Sequence, residues 1–337
     1  MKLTINNHSI KAISVVLPKN FRTQQEELSY IGLSENKFKI LQQNSGILNH
    51  FISDENTYAS DLASKALEEL LNQNLIKKDE IDALIFASFT PDFLAPSCSS
   101  LIHKNLKLDN RTLCFDMNAF CWGFLQGILQ AFSLLDYPNI KKVILLCASV
   151  KSKKINPKDK ITFLNTSDSA SAILIEKTND QQKAFYSQNI FSEFVLEETS
   201  PLKAFNENAN EFGKTDGNLF FSFVMEKFPL FFEEFFNYFK QEKQEIDYFL
   251  FQSSNAFFRE KLLHTLKLKN NFNDSLREYG DTLINKLVLD LICLQKQSAG
   301  GGIKDLCLGS FGTGIVFNIL KLKLDFNELK SFIKILE

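Results

Sequence analysis

Glycine and proline are both scarce, 13 and 7 residues in a chain of 337. That excludes collagen-like and low-complexity architectures and any fold built from repeated Gly-rich turns, so regular helices and strands must carry the structure. Neither sign of charge is in excess, with 38 Lys+Arg against 40 Asp+Glu. A surface that grips nucleic acid through a basic excess is therefore not expected. Histidine is limited to His8, His50, His103 and His264, and the six cysteines (Cys98, Cys114, Cys121, Cys147, Cys293, Cys307) show no CxxC spacing. Neither a metal site nor a disulfide framework is expected, and most of these cysteines read as small apolar core residues. Long apolar runs are missing as well. The most Phe-dense stretch, residues 220–239, contains Glu226, Lys227, Glu233 and Glu234, whereas a spanning helix needs about 18 apolar residues without such breaks. The first residues, MKLTINNH, lack the apolar core and cleavage site of a secretion signal. Together these absences predict a cytoplasmic protein with no membrane span.

What is present is an internal echo. Residues 80–86 (EIDALIF) return as residues 245–251 (EIDYFLF), an offset of 165, and residues 142–150 (KVILLCASV) resemble residues 304–312 (KDLCLGSFG), an offset of 162. Two echoes at nearly one offset imply a duplicated unit. In the first unit, β-rich runs at 83–87, 112–116 and 142–148 alternate with helical patterns at 97–106 and 122–135; helical patterns at 59–75 and 229–240 precede the two EID copies. Strands separated by helix-length connections form sheets covered by helices. A duplicated α/β unit then gives two sheets around shared helices in five layers, with halves at 1–176 and 185–337. Residues 186–217, polar and weakly periodic, read as the linker and surface loop between them, and 177–183 as the preceding turn.

Cys121 stands between a predicted strand and an apolar helix, in FDMNAFCWGF. At a helix N-terminus, unpaired N–H groups and the dipole favour a thiolate and can face a developing oxyanion. The same position also suits a buried structural cysteine ahead of a core helix.

The motif FDMNAFCWGF resembles the active-site motif of the β-ketoacyl-acyl-carrier-protein (ACP) synthase III family, D-x-N-A-A-C-S/T-G-F. Residues 82–97 (DALIFASFTPDFLAPS) resemble the family's strand and T-P-D-x-x-x-P-S loop, and Ser45-Gly46-Ile47 its T-G-I turn. Residues 217–232 resemble its segment ahead of the second-half helix, and Ser310-Phe311-Gly312-Thr313-Gly314 its F-G-G-G turn. The resemblance runs from about residue 9 to the end. It implies a thiolase-like fold, a duplicated α/β five-layer αβαβα sandwich, in a homodimer. It also implies a 3-oxoacyl-ACP synthase III-like acyltransferase of fatty-acid or related acyl biosynthesis. An acyl group would load on Cys121 from coenzyme A or ACP thioesters, as substrates and not cofactors, and condense with malonyl-ACP. The backbone N–H groups of Cys121 and Thr313 would form the oxyanion hole.

Two matching positions depart from the family. Its H-Q-A-N becomes Gln252-Ser253-Ser254-Asn255, placing Gln252 where a histidine normally sits, and its G-N-T becomes Gly280-Asp281-Thr282, placing Asp281 where an asparagine sits. The family's pair donates to the enolate of malonyl decarboxylation. Gln252 retains an amide donor, but Asp281 must be protonated to donate, which requires a desolvated site. An ionised Asp281 would instead deprotonate an incoming hydroxyl or amine, giving plain acyl transfer. A non-catalytic or partner-dependent subunit is a third reading. The resemblance further implies substrate contacts by Asn255, Trp122, Lys160 and Asn44. Lys160 matches an adenine-stacking Arg, its aromatic partner falls near Ile40, and Asn44 matches a phosphate-facing Arg. Trp122 is either a core anchor or a wall of the acyl pocket. The family's G-D-G-A-G-A becomes residues 167–172 (SDSASA), which keeps the side chains small.

Overall fold

The two EID copies make the same hydrogen bonds. In the computed structural model, Asp82 N–H donates to the Lys142 carbonyl (3.1 Å) and the Asp82 carboxylate accepts from the Lys142 N–H (3.0 Å). Asp247 N–H donates to the Asp305 carbonyl (2.9 Å) and its carboxylate accepts from the Asp305 N–H (2.8 Å). Each aspartate thus locks the start of one strand to the start of its parallel neighbour. The structure describes residues 1–27, 30, 32–156, 158–178, 182–193, 199–200, 214–215, 217–269, 272–298 and 301–337.

The strands are β1 (Lys2–Ile5), β2 (Ser9–Leu17), β3 (Asn20–Thr23), β4 (Asn49–Ile52), β5 (Ala83–Ser88), β6 (Leu113–Asn118), β7 (Lys142–Ser149), β8 (Ser169–Glu176), β9 (Lys183–Asn189), β10 (Tyr248–Phe251), β11 (Ile303–Gly312), β12 (Val316–Asp325) and β13 (Lys330–Ile335). The helices are α1 (Glu35–Ser45), α2 (Ala59–Asn72), α3 (Cys98–Leu106), α4 (Gly123–Leu135), α5 (Lys160–Asn165), α6 (Gly217–Phe239), α7 (Ala256–Thr265), α8 (Leu276–Tyr279) and α9 (Lys286–Gln297). One sheet has the order β13-β2-β8-β7-β5-β6 and the other β1-β9-β12-β11-β10. Each strand of the second sheet has a counterpart in the first. β5 runs parallel to β7 as β10 does to β11, and β7–β8–β2 and β11–β12–β9 are both antiparallel. Among the described residues β6 has no counterpart in the second sheet. The terminal strands are exchanged: β1 pairs with β9 and β13 with β2, so the framework of 1–176 is completed by the C-terminus and that of 185–337 by the N-terminus.

Five layers follow from which faces are apolar. α4 and α9 lie between the sheets, with Phe124, Ile128, Phe132, Leu287 and Leu291 buried against Val143, Leu145, Leu308 and Leu320. α2 and α3 cover the outer face of the first sheet, and α6 and α7 that of the second. Strands covered on both sides read as continuous apolar runs, and β5 is buried along its whole length.

Two expectations change here. α6 begins at Gly217, not at Pro229, which lies inside it. Its buried stripe of Val224, Phe228, Phe231, Phe232, Phe235 and Phe236 carries the helix through the proline, and each buried Phe contributes about 1.5–3 kcal/mol. The expected linker at 186–217 is in part regular structure. Tyr186 to Asn189 complete β9, which is held between β1 and β12 with Ala184, Phe185 and Tyr186 buried. Thr199–Ser200 pairs with Lys214–Thr215, while 194–198, 201–213 and 216 lie outside the described residues, as do 179–181 of the expected turn. Among the described residues no helix is long and apolar enough to cross a membrane.

Candidate active site

The acidic residues of the recognised motifs hold helices in place. The Asp116 carboxylate, on β6, accepts from the Cys98 and Ser99 N–H groups (2.7 and 2.9 Å) at the start of α3. Asp92 accepts from the Ser60 N–H (3.1 Å) at the start of α2. Both place a carboxylate on a helix's positive end. They also fix the C-terminal ends of β5 and β6, where the chain turns toward Cys121. Ala119 N–H donates to the Ser88 carbonyl (3.2 Å) and Gly123 N–H to the Phe120 carbonyl (2.8 Å).

Cys121 is 9% exposed. It sits two residues before α4 rather than at its first position, because the 120–123 turn intervenes and Trp122 already has helical backbone angles. The β11–β12 turn comes directly against it. A Cβ added to Gly312 would lie 3.2 Å from the Cys121 Cβ and 3.4 Å from its amide nitrogen, so a larger residue there would press on the nucleophile. The Trp122 indole donates to the Thr313 carbonyl (2.9 Å), which ties the start of α4 to the opposite half.

The second half supplies Gln252 and Asp281. Gln252 follows β10 and is 3% exposed; its Nε2 donates to the Leu283 carbonyl (3.2 Å), while Oε1 is buried without a partner among the described residues. Asp281 is 5% exposed and its Oδ1 accepts from the Leu283 N–H (3.1 Å). The peptide groups of Leu283 therefore connect the two side chains. Leu283 holds φ at +54°, a conformation that costs a bulky residue about 1–3 kcal/mol. Gly280 precedes the pair at φ +71°, where a Cβ would meet the Ser167 hydroxyl at 2.7 Å. Asp281 is also bound to the first half, its N–H donating to the Asn165 carbonyl (2.8 Å) and its carbonyl accepting from Ser167 N–H (2.9 Å).

Electrostatics couple these groups. Burial pushes the Cys121 thiol far above its usual range, and the nearby Asp281 carboxylate pushes the same way; Lys151 opposes both. Burial likewise raises Asp281 above the ordinary carboxylate range, against the pull of Lys151, the Leu283 N–H and Lys286. The desolvation that a protonated Asp281 requires is therefore present.

The other expected contacts are held as follows. Asn255 caps α7, accepting from the Phe258 N–H (2.8 Å) and donating to the Ser254 hydroxyl (3.3 Å). Asn44 is exposed on α1. The Lys160 ammonium donates to the Tyr30 carbonyl (2.7 Å) and lies 5.0 Å from the Tyr30 ring, so the aromatic ring beside it is that of Tyr30. His264 is exposed, and His50 is buried between Glu27 (2.7 Å) and the Thr166 carbonyl (3.1 Å). Cys98, Cys147 and Cys307 are core residues. The sequence reading missed Lys151. The usable signal was its place directly after an apolar strand, since ligand sites of parallel sheets gather at carboxyl ends.

The family model for 3-oxoacyl-[acyl-carrier-protein (ACP)] synthase III matches residues 115–193. A putative 3-oxoacyl-ACP synthase 3 of Campylobacter jejuni is 30% identical over 289 residues, 80% of this chain and 81% of that protein. A β-ketoacyl-ACP synthase III of Streptococcus uberis is 26% identical over 296 residues, 84% and 90% of the two chains. Among solved structures, a 3-oxoacyl-ACP synthase from Burkholderia xenovorans superposes with a TM-score of 0.88 at 21% identity, over 99% of both chains. OleA of Xanthomonas campestris gives 0.81 at 15% identity, over 95% of this chain and 98% of that one. These folds are of the thiolase type. With the duplicated sandwich and a cysteine at the head of its central helix, the sequence kinship assigns the chain to the 3-oxoacyl-ACP synthase III family of acyl-transferring enzymes.

Proposed function

We propose that the enzyme carries an acyl group on Cys121 and condenses it with malonyl-ACP. In the first step the Cys121 sulfur attacks the donor thioester, the new acyl–Sγ bond replaces the old one, and the donor thiol leaves with the cysteine's proton. In the second, malonyl-ACP loses carbon dioxide, the resulting enolate carbon attacks the acyl carbonyl, and Cys121 leaves as thiolate. The observation that carries this reading is the burial of Asp281 beside Cys121. A neutral Asp281 is a donor to the enolate oxygen, and the Gln252 amide is the second. The backbone N–H groups of Cys121 and Thr313 serve the oxyanion, consistent with the contact of Gly312 on Cys121. Tyr30 and Lys160 together offer an aromatic face and a cation to the adenine of a coenzyme A donor. We read the protein as a cytoplasmic homodimer. Among the described residues β6 ends its sheet with one side unpaired, and Leu113 is 46% exposed, which makes it a template for a second copy.

A second reading, acyl transfer to a hydroxyl or amine without decarboxylation, is favoured by the buried, unpartnered Oε1 of Gln252. Its Nε2 is held by a carbonyl that can only accept, so Oε1 stays available to a substrate donor. Carbon dioxide release from malonyl-ACP by the acyl-loaded enzyme separates the two. Release matched to 3-oxoacyl product supports condensation. Loss of the acyl group to a hydroxyl or amine acceptor without release supports the second reading.

A further inference from the structure

Lys151 opens the 3-10 turn Lys151–Lys154 at the carboxyl end of β7, the end at which parallel β5 and β6 also deliver the chain to Cys121. Its ammonium lies 5.9 Å from the ring of Phe120, the residue before the nucleophile. The turn is clamped, with the Ser152 N–H and hydroxyl donating to the buried carboxylate of Asp168 (3.0 and 2.5 Å). Residues 166–168 hold the other side too, since Thr166 bridges Asp281 and Ser167 N–H donates to the Asp281 carbonyl. One short segment, 166–168, thus anchors both the turn that carries Lys151 and the backbone of Asp281.

Three other lysines nearby are committed otherwise. Lys153 donates to the Glu55 carbonyl (2.8 Å) and Lys160 to the Tyr30 carbonyl. Lys286, which also faces Asp281, is buried against Asp290 (2.5 Å) and Asp274 (3.2 Å). Lys151 is half-buried and has no carboxylate within salt-bridge distance among the described residues. Asp281, from the loop after α8, and Lys151 act electrostatically on Cys121 in opposite senses.

We propose that Lys151 is a positioning residue of this site, whose ammonium sustains the Cys121 thiolate that a catalytic histidine would otherwise support, and opposes the Asp281 carboxylate at pH values where that group is ionised. The inference rests on Cys121 being the acylated nucleophile. A charge acting through a partly dry space is worth more there than in water, and a change of one pKa unit is tenfold in thiolate fraction below the midpoint.

Iodoacetamide labelling of Cys121 against pH, read by site-resolved peptide mass spectrometry on the intact protein, tests this without an acyl donor. Lys151→Met should slow labelling about tenfold across the pH range in which the thiol is largely protonated, and so shift the profile upward. Lys151→Arg should restore the wild-type profile, and Asp281→Asn should shift it in the opposite sense from Lys151→Met. Unchanged labelling of Cys114 and Cys293 reports an intact fold. An unshifted profile in Lys151→Met, or a shift as large in Lys151→Arg, overturns the inference. If the shift occurs while acyl donors leave no adduct on Cys121, the acyl-carrying role falls instead and the electrostatic one stands.

Discussion

Asp82 and Asp247 make matching bonds in the two halves, yet what is packed around them differs. The outer layer of the first sheet is built from small and aliphatic side chains, among them Ala59, Ala63, Ala66 and Leu67. That of the second is a cluster of phenylalanines in which Phe228 lies 5.2–5.8 Å from the rings of Phe251, Phe311 and Phe317. The halves also contribute unlike chemistry: the first places a thiol after its extra strand β6, the second an amide and a carboxyl after β10 and α8. Duplication preserved the backbone frame, which depends on paired strands and carboxylate-held strand starts. The fill changed, since cores tolerate substitution while volume and patterning are kept.

The largest expected effect sharpens the chemical side of that comparison. Gln252→His with Asp281→Asn gives the second half two neutral donors, each worth about 2–4 kcal/mol at an oxyanion. Carbon dioxide release from malonyl-ACP should rise by roughly 10²-fold or more at pH values where Asp281 is ionised. No rise would mean that Gln252 and Asp281 are already competent. Next is packing: Phe228→Ala should cost about 3–5 kcal/mol in denaturant unfolding, and a loss below 1 kcal/mol would show that the aromatic layer is not a close-packed core. Smaller again is the frame. Asp82, which accepts from the Lys141 and Lys142 N–H groups, should cost about 2 kcal/mol as Asp82→Ala, and the more exposed Asp247 about 1 kcal/mol as Asp247→Ala. A reversed order would break the claimed equivalence. The subtlest effect is in pH. A protonated Asp281 donor is lost as pH rises through its burial-raised pKa, so condensation should be flat below that value and fall above it. Asp281→Asn should remove the falling limb; a limb that persists would belong to another group.

Legibility followed the range of the signal. The duplication and the strands of the first half were readable because EID and the apolar runs are local patterns that pairing preserved. Cys121 was readable for the same reason, as strand, turn and nucleophile are contiguous. Gln252 and Asp281 were reached only through family resemblance, since each alone is an ordinary polar residue and the Leu283 peptide that connects them is a tertiary feature. Pro229 misled because proline punctuates locally, whereas the stripe from Val224 to Phe236 is decided by the sheet beneath it. The exchange of β1 and β13 left no local trace, because an edge strand's partner is chosen at long range. Lys151 and Tyr30 went unread for that reason too: one depends on the register of β7 beside β5, the other on how the segment before α1 meets Lys160.

The central claim is that Cys121 carries the acyl group. Intact-mass spectrometry of the wild type and Cys121→Ala, incubated with a panel of acyl-coenzyme A and acyl-ACP donors, tests it directly. The account predicts one added acyl mass in the wild type, mapped to the peptide containing Cys121, and none in a folded Cys121→Ala protein. An adduct that persists in the variant, or a wild type that no donor in the panel acylates, would contradict it.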